Sequence, residues 1–452
     1  MQLLLRERLS LKISPLEFVN TITELYYSML AQTALRDVFP VNCHHNAAVN
    51  SLSLESMEYQ YLLSGCADLS IKLWDLKAQE EVKGDDEDPD WRYRRQYEDY
   101  DYDNPRQVFT NIATVPRKTA HTFGISSIMW WPFDTGIFVS ASFDHTVKIW
   151  DTQEMAPVHE FDIANRVYLI DIRGHQPNEM TASALIAVAS DQPFIRLLDI
   201  RAGSSAHTLS GHKGKTLEVK WHPTNPFLFA SGGFDGEVKV WDIRRSNNCL
   251  CRLDMLKTSS LTQHDSHNLT KASVKAHLGP VNGLVWDESG TTLFTAGNDD
   301  KVRCWDVASS LAPPINRLIN FGPLTRNKYP QTIPILLSSK LELELQYLLF
   351  PSDNDDVFVY RTIDGKLLSR LSRRGSKNHG RTSSMCYAGP SSGTYFCGTM
   401  DGEIVTWVPS WPTSYDRQAK LELKDVLDRS HLVKEANEIL ANDLFLQKSF
   451  PT

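Results

Sequence analysis

Residues 121–151 read HTFGISSIMWWPFDTGIFVSASFDHTVKIWD, and this stretch decides the fold. Within it, Phe138–Ser142 and Val147–Trp150 are short runs rich in β-branched and aromatic residues, the composition of strands. Asp144 falls in the tight turn between them. A carboxylate there can accept hydrogen bonds from the turn N–H groups and from His121. The Ser140 hydroxyl can then bridge His121 to the indole N–H of Trp150. A buried polar chain with every member satisfied ties the strands of one sheet together.

The same spacing recurs. Segments His45–Trp74, His121–Trp150, His212–Trp241, His277–Trp305 and His379–Trp407 have His-to-Trp separations of 29, 29, 29, 28 and 28 residues. Six residues before each Trp stands an Asp: Asp68, Asp144, Asp235, Asp299 and Asp401. Four residues before that Asp come Ser64, Ser140, Ser231 and Thr295, with Cys397 in the fifth. An Asp follows the Trp in the first four (Asp75, Asp151, Asp242, Asp306). Two worn copies are legible at Leu185–Asp199, where Leu198 replaces Trp, and at Tyr347–Tyr360, which has no His. Five good units and two degenerate ones, at roughly 40–45 residues each, predict an all-β, seven-bladed β-propeller. Closing the ring calls on the segment around Arg36–Val41 to supply the outer strand of the last blade.

The repeats set the domain plan: residues 1–35 as an N-terminal helix-loop-helix, 36–411 as the propeller, and 412–452 as a charged helical tail. Ser14-Pro15-Leu16-Glu17 is a capping box with Pro at the first helical position. Phe18, Ile22, Leu25, Tyr26 and Met29 follow at helical spacing. Leu3, Leu4, Leu5, Leu9 and Leu11 precede it as a short apolar element. Such a pair either packs on the chain's own ring or enters a groove on a partner. Within blade one, residues 80–106 are an acidic, aromatic insertion with 11 acids and 5 bases, holding −6 of the chain's net −8. In the tail, Leu421, Leu423, Val426, Leu427, Leu432 and Ile439 are compatible with an amphipathic arm.

Composition narrows the function classes. The near-neutral remainder offers no basic footprint for nucleic acid. The 7 Cys include no CxxC pair, Cys249 and Cys251 have no nearby His, and His44-His45 has no evident third ligand, so no metal centre is expected. Scattered thiols read as a reduced, intracellular protein. No window reaches the roughly 18–20 apolar residues of a membrane span, which points to a soluble cytosolic or nuclear protein. No phosphate loop, GxSxG elbow or HExxH helix occurs, so neither catalysis nor a cofactor is expected. The tetrad His, Ser and Asp residues read as structural.

The repeat residues resemble the WD-repeat family over about Arg36 to Trp411. Two consecutive units end in Asp-x-Arg: Asp199-Ile200-Arg201 and Asp242-Ile243-Arg244, followed by Arg245. An Arg just past a strand end sits on a rim of the ring, where it can fork onto a partner's carboxylates or carbonyls. Behind an N-terminal helical pair, this arrangement resembles the substrate receptors of cullin-4-type ubiquitin ligases. Longer stretches, Trp131-Pro132-Phe133-Asp134-Thr135-Gly136-Ile137-Phe138, Lys148-Ile149-Trp150-Asp151-Thr152, Val238–Arg245, Gly279–Leu284 and Trp407-Val408-Pro409-Ser410, are similar to the Cockayne syndrome A family.

That resemblance implies a nuclear, non-catalytic protein of transcription-coupled nucleotide-excision repair. It would link a ubiquitin ligase to lesion-stalled RNA polymerase II and a Snf2-type remodeler. It further implies that Leu4, Leu5, Leu9, Phe18, Ile22, Arg201 and Arg244 contact the damaged-DNA-binding adaptor of the ligase. The acidic insertion and the tail depart from the family pattern and point to a divergent, fungal member, in which the ligase adaptor could differ or be missing. The competing reading is a generic scaffold, histone-binding or signalling, without a ubiquitin role. Direct sequence-specific nucleic-acid binding is not expected.

Overall fold

The computed structural model describes residues 14–409, apart from 32, 37–38, 40–43, 83–105, 118, 133, 175–184, 246–248, 259–273, 308–313, 341–345, 373–380 and 390–391. Leu4, Leu5 and Leu9, nearly all of the acidic insertion and the 412–452 tail lie outside the described residues. The chain divides into two compact units, one formed by 35–408 and the other by 1–34 with 409–452.

In the smaller unit one helix is described, α1 (Pro15–Ala31). Its capping box is formed: Ser14 N–H donates to Glu17 Oε2 at 2.9 Å and Glu17 N–H to Ser14 Oγ at 3.2 Å. These bonds hold the Glu17 carboxyl below its ordinary value and satisfy two donors that a helix start otherwise leaves open. The buried stripe is Thr23, Tyr26 and Leu30, while Phe18 and Ile22 are half-buried.

The larger unit is seven four-stranded antiparallel sheets. Blade 1 is β2 (Val49–Leu54), β3 (Tyr61–Cys66), β4 (Ile71–Val82) and β5 (Arg106–Val115). Blade 2 is β6 (Ile125–Trp131), β7 (Asp134–Ser142), β8 (Thr146–Asp151) and β9 (Ala156–Asp162). Blade 3 is β10 (Val167–Ile172), β11 (Leu185–Ser190), β12 (Phe194–Asp199) and β13 (Ser204–Ser210). Blade 4 is β14 (Thr216–Trp221), β15 (Leu228–Gly233), β16 (Val238–Asp242) and β17 (Cys249–Arg252). Blade 5 is β18 (Val281–Trp286), β19 (Thr292–Gly297), β20 (Lys301–Asp306) and β21 (Ile315–Asn316). Blade 6 is β22 (Leu336–Leu337), β23 (Tyr347–Pro351), β24 (Val357–Arg361) and β25 (Leu367–Leu371).

Blade 7 combines β26 (Thr382–Tyr387), β27 (Tyr395–Thr399) and β28 (Ile404–Val408) with β1 (Ala34–Arg36) as its outer strand. The seven-bladed propeller read from the repeats is thus the fold, including both worn blades. The closing strand lies at the start of, and just before, the expected Arg36–Val41. Phe39, a few residues further on, has another role: 2% exposed, it is wedged between the first and last blades. Its ring meets Trp74 at 5.0 Å, Phe109 at 5.3 Å and Phe396 at 5.9 Å, all edge-on, the preferred arrangement of aromatic pairs. Ser384 Oγ also donates to Val49 O at 2.7 Å, joining the inner strands β26 and β2.

Blades stack through apolar faces. Ile163, Val167 and Ile170 meet Val139, Val147 and Ile149 between blades 2 and 3. Val219, Trp221 and Phe229 meet Ala187, Ile195 and Leu197 between blades 3 and 4. The approach is close enough to select side-chain size. A Cβ on Gly232 would lie 2.9 Å from Val281 Cγ1 and 3.0 Å from its carbonyl oxygen, so the blade 4–5 contact admits only glycine without backbone movement.

Blade 1 has an unusually long outer hairpin. After a break in register between Asp75 and Gln79, β4 and β5 resume pairing from Gln79↔Phe109 to Val82↔Arg106. Strand pairing therefore runs deeper into the acidic insertion than its composition suggested.

Removing the wedge tests the closure. Phe39→Ala is expected to cost roughly 3–5 kcal/mol, as for other buried aromatic truncations. Urea unfolding should show it as a lower midpoint, with Val158→Ala, at a 70% exposed outer-strand position, staying within about 0.5 kcal/mol of the parent.

Candidate functional site

The two ends of the ring differ chemically. In every blade the turn between the second and third strands lies at one end, here the upper rim, and the third strand then runs to the lower rim. The tetrads hold the upper rim, and Arg201 and Arg244 stand on the lower.

The tetrad residues meet in four blades. His121 Nδ1 lies 2.8 Å from Asp144 Oδ2, His121 Nε2 lies 2.7 Å from Ser140 Oγ, and Trp150 Nε1 donates to Ser140 Oγ at 2.8 Å. His212 sits 3.2 Å from Asp235 and 2.7 Å from Ser231, which accepts from Trp241 at 2.7 Å. His277 sits 2.8 Å from Asp299 and 2.7 Å from Thr295, which accepts from Trp305 at 2.9 Å.

Blade 1 inserts a relay. His45 Nδ1 bonds Ser70 Oγ at 2.9 Å and Ser70 donates to Asp68 at 2.5 Å, while His45 Nε2 and Trp74 Nε1 both bond Ser64 Oγ, at 2.8 and 3.0 Å. One proton order satisfies the chains of blades 1, 2 and 4: indole N–H to hydroxyl oxygen, hydroxyl O–H to Nε2, and Nδ1–H onward to the carboxylate; in blade 5 Arg303 Nη1 also approaches His277 Nδ1, at 2.5 Å.

A Ser–His–Asp contact of this kind superficially matches a nucleophilic triad. Here, however, Ser64, Ser140, Ser231 and Thr295 are 0% exposed and each also accepts from a buried indole. No substrate can reach the oxygen, so the geometry fastens strands. In blade 7, Cys397 takes the hydroxyl's place and Trp407 Nε1 has no partner among the described residues; His379 lies outside them. Blade 3 fills the positions with Val188 and Leu198, and blade 6 with Phe350 and Tyr360, all buried.

His45 does have potential metal ligands beside it, contrary to the sequence reading: its ring nitrogen, Cys66 Sγ and an Asp68 oxygen lie within 4.8 Å of one another. The chemistry is poor for a cation. Burial pushes the Cys66 thiol up to about 12, and both His45 nitrogens are already engaged. Cys66 occupies the place of Ser142 in blade 2, whose hydroxyl caps the Phe123 carbonyl much as Cys66 Sγ contacts Ala47 O at 3.0 Å.

Two supporting sets went unread in the sequence, although each recurs at fixed spacing. Two residues before the Trp stands a base: Lys72 donates to His44 O at 3.0 Å, Lys239 to Gly211 O, and Arg303 to Asp299 at 2.8 Å. The residue after each turn Asp has positive φ in all five units, namely Leu69, His145, Gly236, Asp300 and Gly402. Only two of these are glycine, so the turn geometry is enforced by the network around it.

On the lower rim, Arg244 and Arg201 occupy equivalent positions in consecutive blades but are held differently. Arg244 forks onto Asp242 (Nε to Oδ1 3.1 Å, Nη2 to Oδ2 3.0 Å) and stacks over Phe227 at 4.4 Å, with 56% of its side chain still exposed. The Arg244 bonds hold the Asp242 carboxyl below its ordinary value. Arg245 Nε lies 3.8 Å from the same carboxylate. Arg201 is exposed; its backbone N–H donates to Asp199 Oδ1 at 2.9 Å, and its guanidinium has no ion pair among the described residues. The rim therefore offers one pre-oriented guanidinium and one unengaged one.

Two measurements test the tetrads. Burial raises the Asp144 carboxyl, but bonds from His121, Thr146 and the Thr122 N–H outweigh it and hold the group far below the carboxylate range; Asp68, Asp235 and Asp299 behave alike. Burial lowers His45 and His277. In both cases the unfolded chain binds more protons than the folded one, so stability rises with pH. The His contribution is lost as pH falls below about 6.5, and the Asp contribution as it falls below about 3.9.

Thermal unfolding should show Tm falling from pH 7 to 5 and more steeply below 4, with Asp144→Asn flattening the acid limb. A level Tm over that range would contradict the assignment. Separately, Trp241→Ala, which removes a fully buried ring stacked on Phe229, should cost roughly 3–5 kcal/mol in chemical denaturation.

Comparison with known proteins agrees with this geometry. The WD40 family model, described as WD domain, G-beta repeat, matches residues 37–75, 113–151, 203–242 and 269–306, the segments that end in the four complete tetrads. The WD repeat-containing protein ATCSA-1 of Arabidopsis thaliana is 30% identical over 346 residues, covering 63% of this chain and 71% of that protein. Radiation-sensitive protein 28 of Saccharomyces cerevisiae is 30% identical over 269 residues, covering 56% of this chain and about half (51%) of the yeast protein. A ribosome biogenesis protein WDR12 homolog of Oryza sativa subsp. japonica is 29% identical over 204 residues, 44% of this chain and 43% of its own. With a seven-bladed ring, four complete His–Ser/Thr–Asp–Trp sets and these relatives, the chain belongs to the WD-repeat family.

Proposed function

We propose that this protein is a non-catalytic receptor of transcription-coupled nucleotide-excision repair in the nucleus. It would join the damaged-DNA-binding adaptor of a cullin-4-type ubiquitin ligase to stalled RNA polymerase II and a Snf2-type remodeler. The observation that carries the reading is the pair Arg201 and Arg244, presented at the same place on two consecutive blades of a rigid lower rim.

The energetics suit docking. Arg244 keeps 56% of its side chain exposed above the buried Asp242, so its guanidinium can take a partner's carbonyl or carboxylate while the fork on Asp242 is kept. Its orientation is already fixed by Asp242 and Phe227, which spares rotamer entropy on binding. Arg201 is free to form a full fork. Two relatives support the repair setting, one named a radiation-sensitive protein and one carrying the CSA designation. The resemblance of Trp131–Phe138 and Val238–Arg245 to the Cockayne syndrome A family supports the ligase link, with α1 as a second contact through Phe18 and Ile22.

The test is affinity capture from nuclear extract, with bound proteins identified by mass spectrometry. It compares the full chain, the Arg201→Glu/Arg244→Glu double variant, and a chain lacking residues 1–31, which keeps the closing strand Ala34–Arg36. The ligase adaptor is expected with the full chain and at least about tenfold depleted with either variant, a difference of 1.4 kcal/mol, while the double variant keeps a single cooperative melt at a Tm lowered by the lost Arg244 fork on buried Asp242. Recovery of polymerase and remodeler without any ligase subunit would leave a repair scaffold and end the ubiquitin role. Recovery of ribosome-assembly factors instead would overturn both.

A further inference from the structure

Blade 6 has lost the tetrad, and a different site stands on its upper rim. Where five other blades begin with a His, residues 324–333 run across that rim and are pinned there. Asn282 Nδ2 donates to Asn327 Oδ1 at 3.0 Å, Tyr329 O at 3.0 Å and Gln331 O at 2.6 Å, and Asn327 Nδ2 donates back to Asn282 Oδ1 at 2.7 Å. Asn327 N–H donates to Asp300 at 2.6 Å and Lys328 N–H to Asp353 at 2.6 Å. The segment is therefore a fixed platform whose side chains are pre-positioned.

On it stand Tyr329, 58% exposed, and Leu324, 44% exposed, with Met400 of blade 7, 36% exposed, beside Arg381 through its N–H bond to Arg381 O at 3.1 Å. Arg381 is the unusual member. Its side chain is 9% exposed, its Nε faces Asp353 Oδ1 at 3.2 Å, and its guanidinium carbon lies 5.6 Å from the centre of the Tyr329 ring. Its Nη1 is buried with no hydrogen-bond partner among the described residues. Burial pulls this guanidinium down from its ordinary value, and Asp353 and Tyr329 only partly offset that. Buried donors on a cation are costly when left unmade. Arg326 and Lys328, both exposed, add positive charge around it.

We infer that the Arg381–Tyr329–Lys328 patch on the upper rim of blades 6 and 7 is a second docking site, taking an acidic peptide segment of a partner protein that presents a carboxylate beside an apolar side chain. Charge selects the occupant. Asp353 offsets much of the Arg381 charge, so the exposed Arg326 and Lys328 supply most of the attraction for acids, and the unmade Nη1 donor of Arg381 adds to it. A phosphodiester backbone would find neither a continuous basic track nor a use for Leu324 and Met400. A carboxylate held by the exposed Arg326 and Lys328 over the buried Arg381 guanidinium, with an aliphatic group against Tyr329, answers both the charge and the apolar side chains of the patch. The site lies at the opposite end of the ring from Arg201 and Arg244, so it stands whether or not the lower rim binds a ligase adaptor.

Fluorescence anisotropy on the full chain tests this with three labelled probes: a short peptide alternating glutamate with leucine, the same peptide with glutamine for glutamate, and a short single-stranded oligodeoxynucleotide. The acidic peptide should bind at least about tenfold more tightly than the glutamine peptide and than the oligonucleotide. Tyr329→Ala and Lys328→Glu, at exposed positions, should each weaken it roughly fivefold or more without moving Tm. Arg381→Lys, which keeps the charge and loses the planar fork, should weaken it too, and Arg244→Glu should not. Equal binding of the two peptides, no saturable binding of the acidic one, a preference for the oligonucleotide, or unchanged affinity in both Tyr329→Ala and Lys328→Glu would each overturn the site.

Discussion

A buried chain of hydrogen bonds from indole to hydroxyl to imidazole to carboxylate is what the ring depends on. It links the first residue of a blade to that blade's second strand, third strand and the turn between them, with no polar atom unpaired. An unmade bond in such a place costs about 1–3 kcal/mol, as at Trp407 of blade 7, where Cys397 replaces the hydroxyl. The set also explains the left-handed turn residues Leu69, His145 and Asp300. Asp68 and Asp144 each accept a turn N–H two residues on, which holds the chain in a conformation that a leucine or histidine would otherwise avoid.

Where the set is absent, packing takes over in a local way. Val188 with Leu198, and Phe350 with Tyr360, replace polar bridges by contact area. The junction of blades 6 and 7 is made by the Tyr347 and Tyr395 hydroxyls bonded to each other. That of blades 7 and 1 is filled by Phe39. The two proposed docking sites then lie at opposite ends of the ring. At the lower rim the strand ends of blades 3 and 4 carry arginines, and at the upper rim the junction of blades 6 and 7 carries the Arg381 patch.

Features set by short, repeated spacing were readable from the amino-acid string. The His-to-Trp interval defines five blades outright, and Asp-x-Arg fixes both arginines just past a strand end. Features made by residues distant in the chain were not. Phe39 meets Phe396 and Phe109, and Arg381 meets Asp353 and Tyr329, across intervals with no periodicity to flag them. The fork of Arg244 on Asp242 is local, yet its stacking on Phe227 depends on a turn from another part of the blade. The closing strand sits a few residues before its expected place because a three-residue strand, Ala34–Arg36, has too little pattern to mark its ends. The apolar residues just after it look more strand-like, although Phe39 among them serves as a wedge.

The origin of that closing strand governs how the protein is made. Its partner β28 comes about 370 residues later, which at typical synthesis rates of 5–20 residues per second means a wait of roughly 20–70 s on the ribosome. Throughout that interval β1 has an unpaired edge and Phe39, with Trp74 and Phe109 already made, lacks Phe396, and the emerging blades form an open arc. Loop-closure entropy makes this the last contact to become favourable. The seam between blades 7 and 1 is thus the point at which a nascent chain is open to chaperones, and to mispairing with a second copy through its unmatched strand edge.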